Sequence, residues 1–302
     1  MCVARDLHEG CKLDRIKDPN LTVVNKTSPL NVTGEKIVIL PLGDSLTKGA
    51  EELKCARDGA GCRGSTSYRY FLGLHLQETW GAYSFEFVGS KATQACQAFQ
   101  VATADSSCGL SGAPSVCAPC TYPWDKGHEG HRAWTTRDVL DGKPGREPGL
   151  KDLLSKGTRL DIVLLLIGNN DIYKGFVKST KQSVDNIKTI VDLLKASSPY
   201  VYILILQLPR FGPRVKRWDA KGLLASNEAV QRLSEAIEMM IRKRKDDRLR
   251  FVTHDLQPSV KYMSSDGVHH TPAGEEMLAK GWARALPTDL ARSILEGKMK
   301  AK

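Results

Sequence analysis

What most narrows the choice of fold is a rhythm of short apolar runs, each followed by a stretch with helical spacing. Leu160 to Ile167 is the most apolar run, and Lys36 to Leu42, Tyr83 to Val88, Tyr200 to Leu206 and Arg248 to Thr253 repeat the pattern. Between them, Ser67 to Trp80 sets Tyr68, Phe71, Leu72, Leu76 and Trp80 at helical intervals. Further helices are expected near Gln182 to Ala196, Ala225 to Arg244 and Thr271 to Leu286. Strands without a polar face must be covered on both sides, which argues for a parallel sheet between helical layers. The expected fold class is α/β, a three-layer α/β/α sandwich with a central parallel sheet. Residues 35–302 form the one domain expected, preceded by an irregular extension over 1–34 that carries the sequons described below. A stretch from about 91 to 125, rich in Ala, Ser, Cys and Pro, breaks every period and reads as an inserted surface loop.

Composition removes several function classes. The longest apolar stretches fall far short of the roughly 20 residues a membrane-spanning helix needs. The opening residues, MCVARDLHEG, lack the apolar core of a signal peptide. A net charge of +10 admits anionic partners. Its main runs, however, are Arg242, Lys243, Arg244 and Lys245 and a tail with Lys298, Lys300 and Lys302, without interleaved aromatic residues to stack bases. They read as a solvated helix face and a basic tail, so neither nucleic acid nor membrane insertion is expected.

The eight cysteines, Cys2, Cys11, Cys55, Cys62, Cys96, Cys108, Cys117 and Cys120, all lie in the first 120 residues. An even, segregated set suggests disulfides. Sequons at Asn20, Asn25 and Asn31 add glycan acceptors in a short polar stretch, and together these features favour secretion. Zinc is the competing reading of Cys117 and Cys120 with His128 and His131, but the spacer between the pairs is too short for the usual patterns, and no metal is expected.

In a parallel α/β sheet, ligands bind beyond the carboxyl ends of the strands. Three polar blocks stand there or just ahead of a helix. Gly43-Asp44-Ser45-Leu46 forms a sharp strand-to-helix turn that presents a serine hydroxyl, although Asp44 or Ser45 as a plain helix cap explains it too. Gly168-Asn169-Asn170-Asp171 offers the Asn170 amide to an oxyanion, or forms an Asx turn. Asp266-Gly267-Val268-His269 sets a carboxylate three residues before an imidazole, a spacing that lets Asp266 fix the tautomer of His269. Three complementary groups at one sheet edge are harder to dismiss than any one of them.

In this order the blocks resemble those of the SGNH, or GDSL, hydrolases, over residues 36 to about 286. Phe87-Val88-Gly89-Ser90 and His128-Glu129-Gly130-His131 are most similar to the acetylxylan esterases of carbohydrate esterase family three. The resemblance implies a flavodoxin-like sandwich and a serine esterase without cofactor. Ser45 is then the nucleophile, His269 the base and Asp266 its orienting partner. Ser45 N–H and the Asn170 side chain line the oxyanion hole, with a further N–H from Ala133 or Gly130. The family's glycine aligns with Ala133, which can serve if the backbone does not demand positive φ. His270 stands where the family usually has proline. Asp44, Trp134 and His270 are candidate substrate contacts, and Trp124 and Trp134 candidates for stacking on sugar rings. Acetylated polysaccharide such as xylan is the expected substrate, with lipid or short acyl esters as the alternative and a non-catalytic carbohydrate-binding protein as the alternative of another class. A monomer is expected.

Overall fold

A computed structural model describes residues 35–49, 67–81, 84–92, 127–175 and 180–300. All eight cysteines, the three sequons and Trp124 lie outside the described residues, and with them the disulfide, glycan and zinc readings.

The chain enters through β1 (Ile37–Gly43), a four-residue helix α1 (Ser45–Lys48), α2 (Tyr68–Trp80) and β2 (Phe85–Phe87). A two-residue strand β3 (Lys91–Ala92) pairs antiparallel with β4 (Gly127–Gly130). The segment expected to be irregular from residue 91 therefore begins with a strand, and the His128-Glu129-Gly130 block forms one that its polar sequence hides. Next come α3 (Thr136–Asp141), α4 (Leu150–Leu154), β5 (Ile162–Leu166), α5 (Asn169–Tyr173) and α6 (Thr180–Ser197). The rest is β6 (Tyr202–Leu206), α7 (Ala220–Arg244), β7 (Leu249–Val252), α8 (Pro272–Ala285) and α9 (Thr288–Lys300).

β1 is the central strand. On one side it pairs in parallel with β2 along its first half and with β4 at its end, and on the other it pairs with β5, followed by β6 and β7. Every residue of β5 is buried, as a strand covered on both faces must be. Helices α2, α8 and α9 cover one face, and α3, α4, α6 and α7 the other. The order β2-β1-β5-β6-β7 reverses direction at β1, and the crevice beyond the carboxyl ends of β1 and β5 is the switch point of the sheet.

Lys298 and Lys300 of the expected basic tail belong instead to α9, and Lys302 lies outside the described residues. The helix buries Leu290, Ala291 and Leu295, and Lys298, only 6% exposed, reaches Asp161 at 2.6 Å and the carbonyl of Lys36 at 2.5 Å. Asp161 also accepts from Val38 N–H at 2.7 Å, so this carboxylate joins the amino ends of β1 and β5 to the last helix.

Candidate active site

Gly43, the last residue of β1, has no room for a side chain: a Cβ there would stand 2.1 Å from the carbonyl oxygen of Leu166 on β5. Asp44 then caps α1, its carboxylate accepting from Leu46 N–H at 2.8 Å. So short a helix has little stability of its own. Its last carbonyls are held from α2, where Arg69 donates to Thr47 O at 2.9 Å and to Lys48 O at 3.0 Å. Ser45 is the first residue of α1, where helix N–H groups have no intrahelical partner.

Across the crevice, the Ser45 hydroxyl lies 2.9 Å from Nε2 of His269, whose Nδ1 lies 2.6 Å from Asp266. The other oxygen of Asp266 accepts from Ser264 Oγ at 2.6 Å, Val268 N–H at 2.8 Å and His269 N–H at 2.9 Å. Partial burial acts to raise the Asp266 carboxyl, yet these donors hold it well below the usual carboxylate range. Burial acts against a charged His269, but the hydrogen bond and charge of Asp266, with the charge of Asp44, outweigh it and leave its pKa above the ordinary 6.5.

Asn170, in the first turn of α5, turns Nδ2 toward Trp134 O at 3.0 Å and Asp44 Oδ2 at 3.1 Å. The two nominees for the further N–H now separate. Gly130 N–H is committed to Nδ1 of His128 at 2.9 Å, and Gly130 is needed for another reason, since a Cβ there would stand 2.4 Å from Lys48 N. Ala133 donates its N–H to no other described residue, and its φ is 57°. This is the left-handed conformation that glycine adopts without strain, so the condition set for Ala133, a backbone that does not demand positive φ, is not met, and the alanine holds a glycine's geometry at a cost of about 1–2 kcal/mol.

Trp134 and His270 do not face the crevice. Trp134 is 1% exposed and stacked on His131, and the His270 ring is wholly buried near Glu275. Neither leaves a face for a sugar. Asp44, equally buried, meets Leu46 and Asn170 rather than solvent. Sequence reading gave no role to Glu129, Glu147 or Lys174, and weighed His131 only as a zinc ligand. Yet His131 bridges Glu129 at 2.7 Å and Glu147 at 2.8 Å, and Lys174 donates to the carbonyl of Ala133. The only trace of this network in the sequence is the density of ionisable residues in His128-Glu129-Gly130-His131.

A serine, an imidazole and a carboxylate in hydrogen-bonded series, at the switch point of a parallel sheet, are the arrangement of a serine hydrolase built on an α/β sandwich. Within that class the chain belongs to the GDSL-like lipase/acylhydrolase family, whose model matches residues 39–282. It is 23% identical over 269 residues to a multidomain esterase of Ruminococcus flavefaciens, spanning 87% of this chain but 30% of that protein. Among solved structures it is similar to a carbohydrate esterase family 3 protein of Talaromyces cellulolyticus (TM-score 0.57, 17% identity, 85% of this chain and 99% of that one). A family 3 carbohydrate esterase of Clostridium thermocellum is similar too (TM-score 0.55, 21% identity, 86% and 99%). At these identities the likeness is one of fold.

Proposed function

We propose that Ser45, His269 and Asp266 hydrolyse acetyl esters on a polysaccharide such as xylan through an acyl-enzyme. The reading rests first on the unbroken series Ser45–His269–Asp266, at 2.9 and 2.6 Å. His269 Nε2 takes the Ser45 proton as Oγ attacks the ester carbonyl, while Asp266 holds the ring and favours the imidazolium that forms. The oxyanion is received by the N–H groups of Ser45 and Ala133 and by Asn170, whose Nδ2 releases Asp44 to reach it. The proton on His269 then passes to the departing alcohol. Water, deprotonated by the same imidazole, cleaves the acyl-enzyme, and the proton returns to Oγ. Acetylated carbohydrate is favoured as substrate because the similar solved structures are carbohydrate esterases.

Parent protein and Ser45→Ala are to be compared on p-nitrophenyl acetate, acetylated xylan and a lysophospholipid. Acetate release from xylan by the parent alone, with turnover reduced at least about 1000-fold in Ser45→Ala, is expected. Asn170→Ala should lose about 100- to 1000-fold and keep a measurable remainder. Fatty acid release exceeding acetate release would move the substrate to lipid, and Ser45→Ala with parental turnover would overturn the site.

A further inference from the structure

The turn His131 to Trp134 is closed by Trp134 N–H donating to His131 O at 3.3 Å, and its third residue is Ala133 at φ 57°. Positive φ at that position marks the turn class that ordinarily takes glycine there. An alanine held in this way persists only where its surroundings over-determine it, and here the surroundings are specific. His131 N–H donates to Gly43 O at 3.1 Å, two residues before the nucleophile. Its ring lies 1% exposed between Glu129 and Glu147, and stacks on Trp134 at 3.7 Å with the planes 9° apart. Both carboxylates are themselves fixed, Glu129 by Ser90 N–H at 2.8 Å and Ser90 Oγ at 2.9 Å, Glu147 by Lys91 at 2.9 Å. One imidazole thus grips both ends of the turn that carries Ala133.

Building on the esterase reading above, we propose that His131 is a positioning residue for the oxyanion hole: clamped by Glu129 and Glu147, it holds the left-handed turn that sets Ala133 N–H beside Ser45. It touches neither substrate nor the reacting atoms. The clamp does for this chain what a glycine at position 133 would do unaided, because glycine reaches positive φ without strain.

The test uses His131→Gln, Glu147→Ala and each combined with Ala133→Gly, assayed on p-nitrophenyl acetate beside the parent and Ser45→Ala. Displacing one oxyanion donor should lower kcat about 10- to 100-fold while KM stays within about twofold. Affinity for a trifluoromethyl ketone, which forms the tetrahedral adduct, should weaken in step. Adding Ala133→Gly should recover at least about fivefold of the lost kcat, since the turn no longer needs the grip. Thermal melts establish that each variant is folded. Should His131→Gln fail to fold, Glu147→Ala decides, because Glu147 lies at the rim with its side chain 30% exposed. Folded variants with parental kcat, a change confined to KM, or no recovery on adding Ala133→Gly would each overturn the clamp. If the parent itself fails to exceed Ser45→Ala, the esterase site falls, whatever the clamp variants do.

Discussion

Asp44 is 1% exposed, and burial lifts its carboxyl to about 7, only partly opposed by Leu46 N–H, the charge of His269 and the Asn170 amide. Its folded pKa lies above its unfolded one, so its contribution to stability is complete below about pH 4 and is lost as pH rises to about 7. Asp44→Asn, which keeps a capping oxygen, should therefore gain on the parent across that interval, by an amount of order 2–4 kcal/mol above pH 7 in urea unfolding. The same change bears on catalysis. Only neutral His269 can act as base, so kcat/KM rises with pH through a His269 pKa that stands above 6.5 partly because of Asp44. Removing that charge should shift the acid limb to lower pH, and a limb that moves upward would contradict the coupling. Single residues were unevenly legible in the sequence. Ser45, Asn170 and His269 announce themselves because each follows a strand or precedes a helix in a short polar block. His131 does not, because Glu147 lies 16 residues away and Lys91 enters from another strand.

At the scale of elements, strands and long helices followed their periods closely: the run at Leu160 to Ile167 became β5, and Ser67 proved to cap α2. Short elements did not, since α3, α4, α5 and β3 are briefer than the windows in which a period can be counted. For α3 a different signal was available: Thr135 and Asp138 form a capping box, hydrogen-bonded in both directions. Helix α9 was missed because its lysines outweighed Leu290, Ala291, Ile294 and Leu295, which recur at helical intervals and pack inward. Its Lys298 is joined to Asp161 at 2.6 Å with both side chains almost wholly buried, so removing either partner strands the other. Lys298→Met should cost about 2–4 kcal/mol in chemical denaturation, below the upper end for buried pairs because Arg159 still lies 3.9 Å from Asp161. Turnover of the folded fraction should be unchanged, since the pair sits at the opposite end of the sheet from Ser45.

Across the whole molecule, the candidate site is assembled from the ends of β1, β4 and β5 and the segment before α8. The stretch 93–126 leaves and rejoins the sheet at one rung, because Ala92 and Gly127 are antiparallel partners. A two-residue Asn-Gly turn suits such a pair. Replacing 93–126 with it should preserve a cooperative thermal melt and hydrolysis of p-nitrophenyl acetate, and loss of both would show that the stretch supports the sheet. The place of β1 at the middle of the sheet carries a further consequence, one of timing. Ribosomes make about 5–20 residues per second, so the 123 residues between Val38 and its partner Asp161 take about 6–25 s. The 224 between Ser45 and His269 take about 11–45 s. For the first of these intervals the apolar run Ile37 to Leu42 waits without β5 to receive it, a strand that must be kept from pairing with other chains. Ser45 is among the first parts of the described chain to be made, and it meets His269 only when the sheet is already complete.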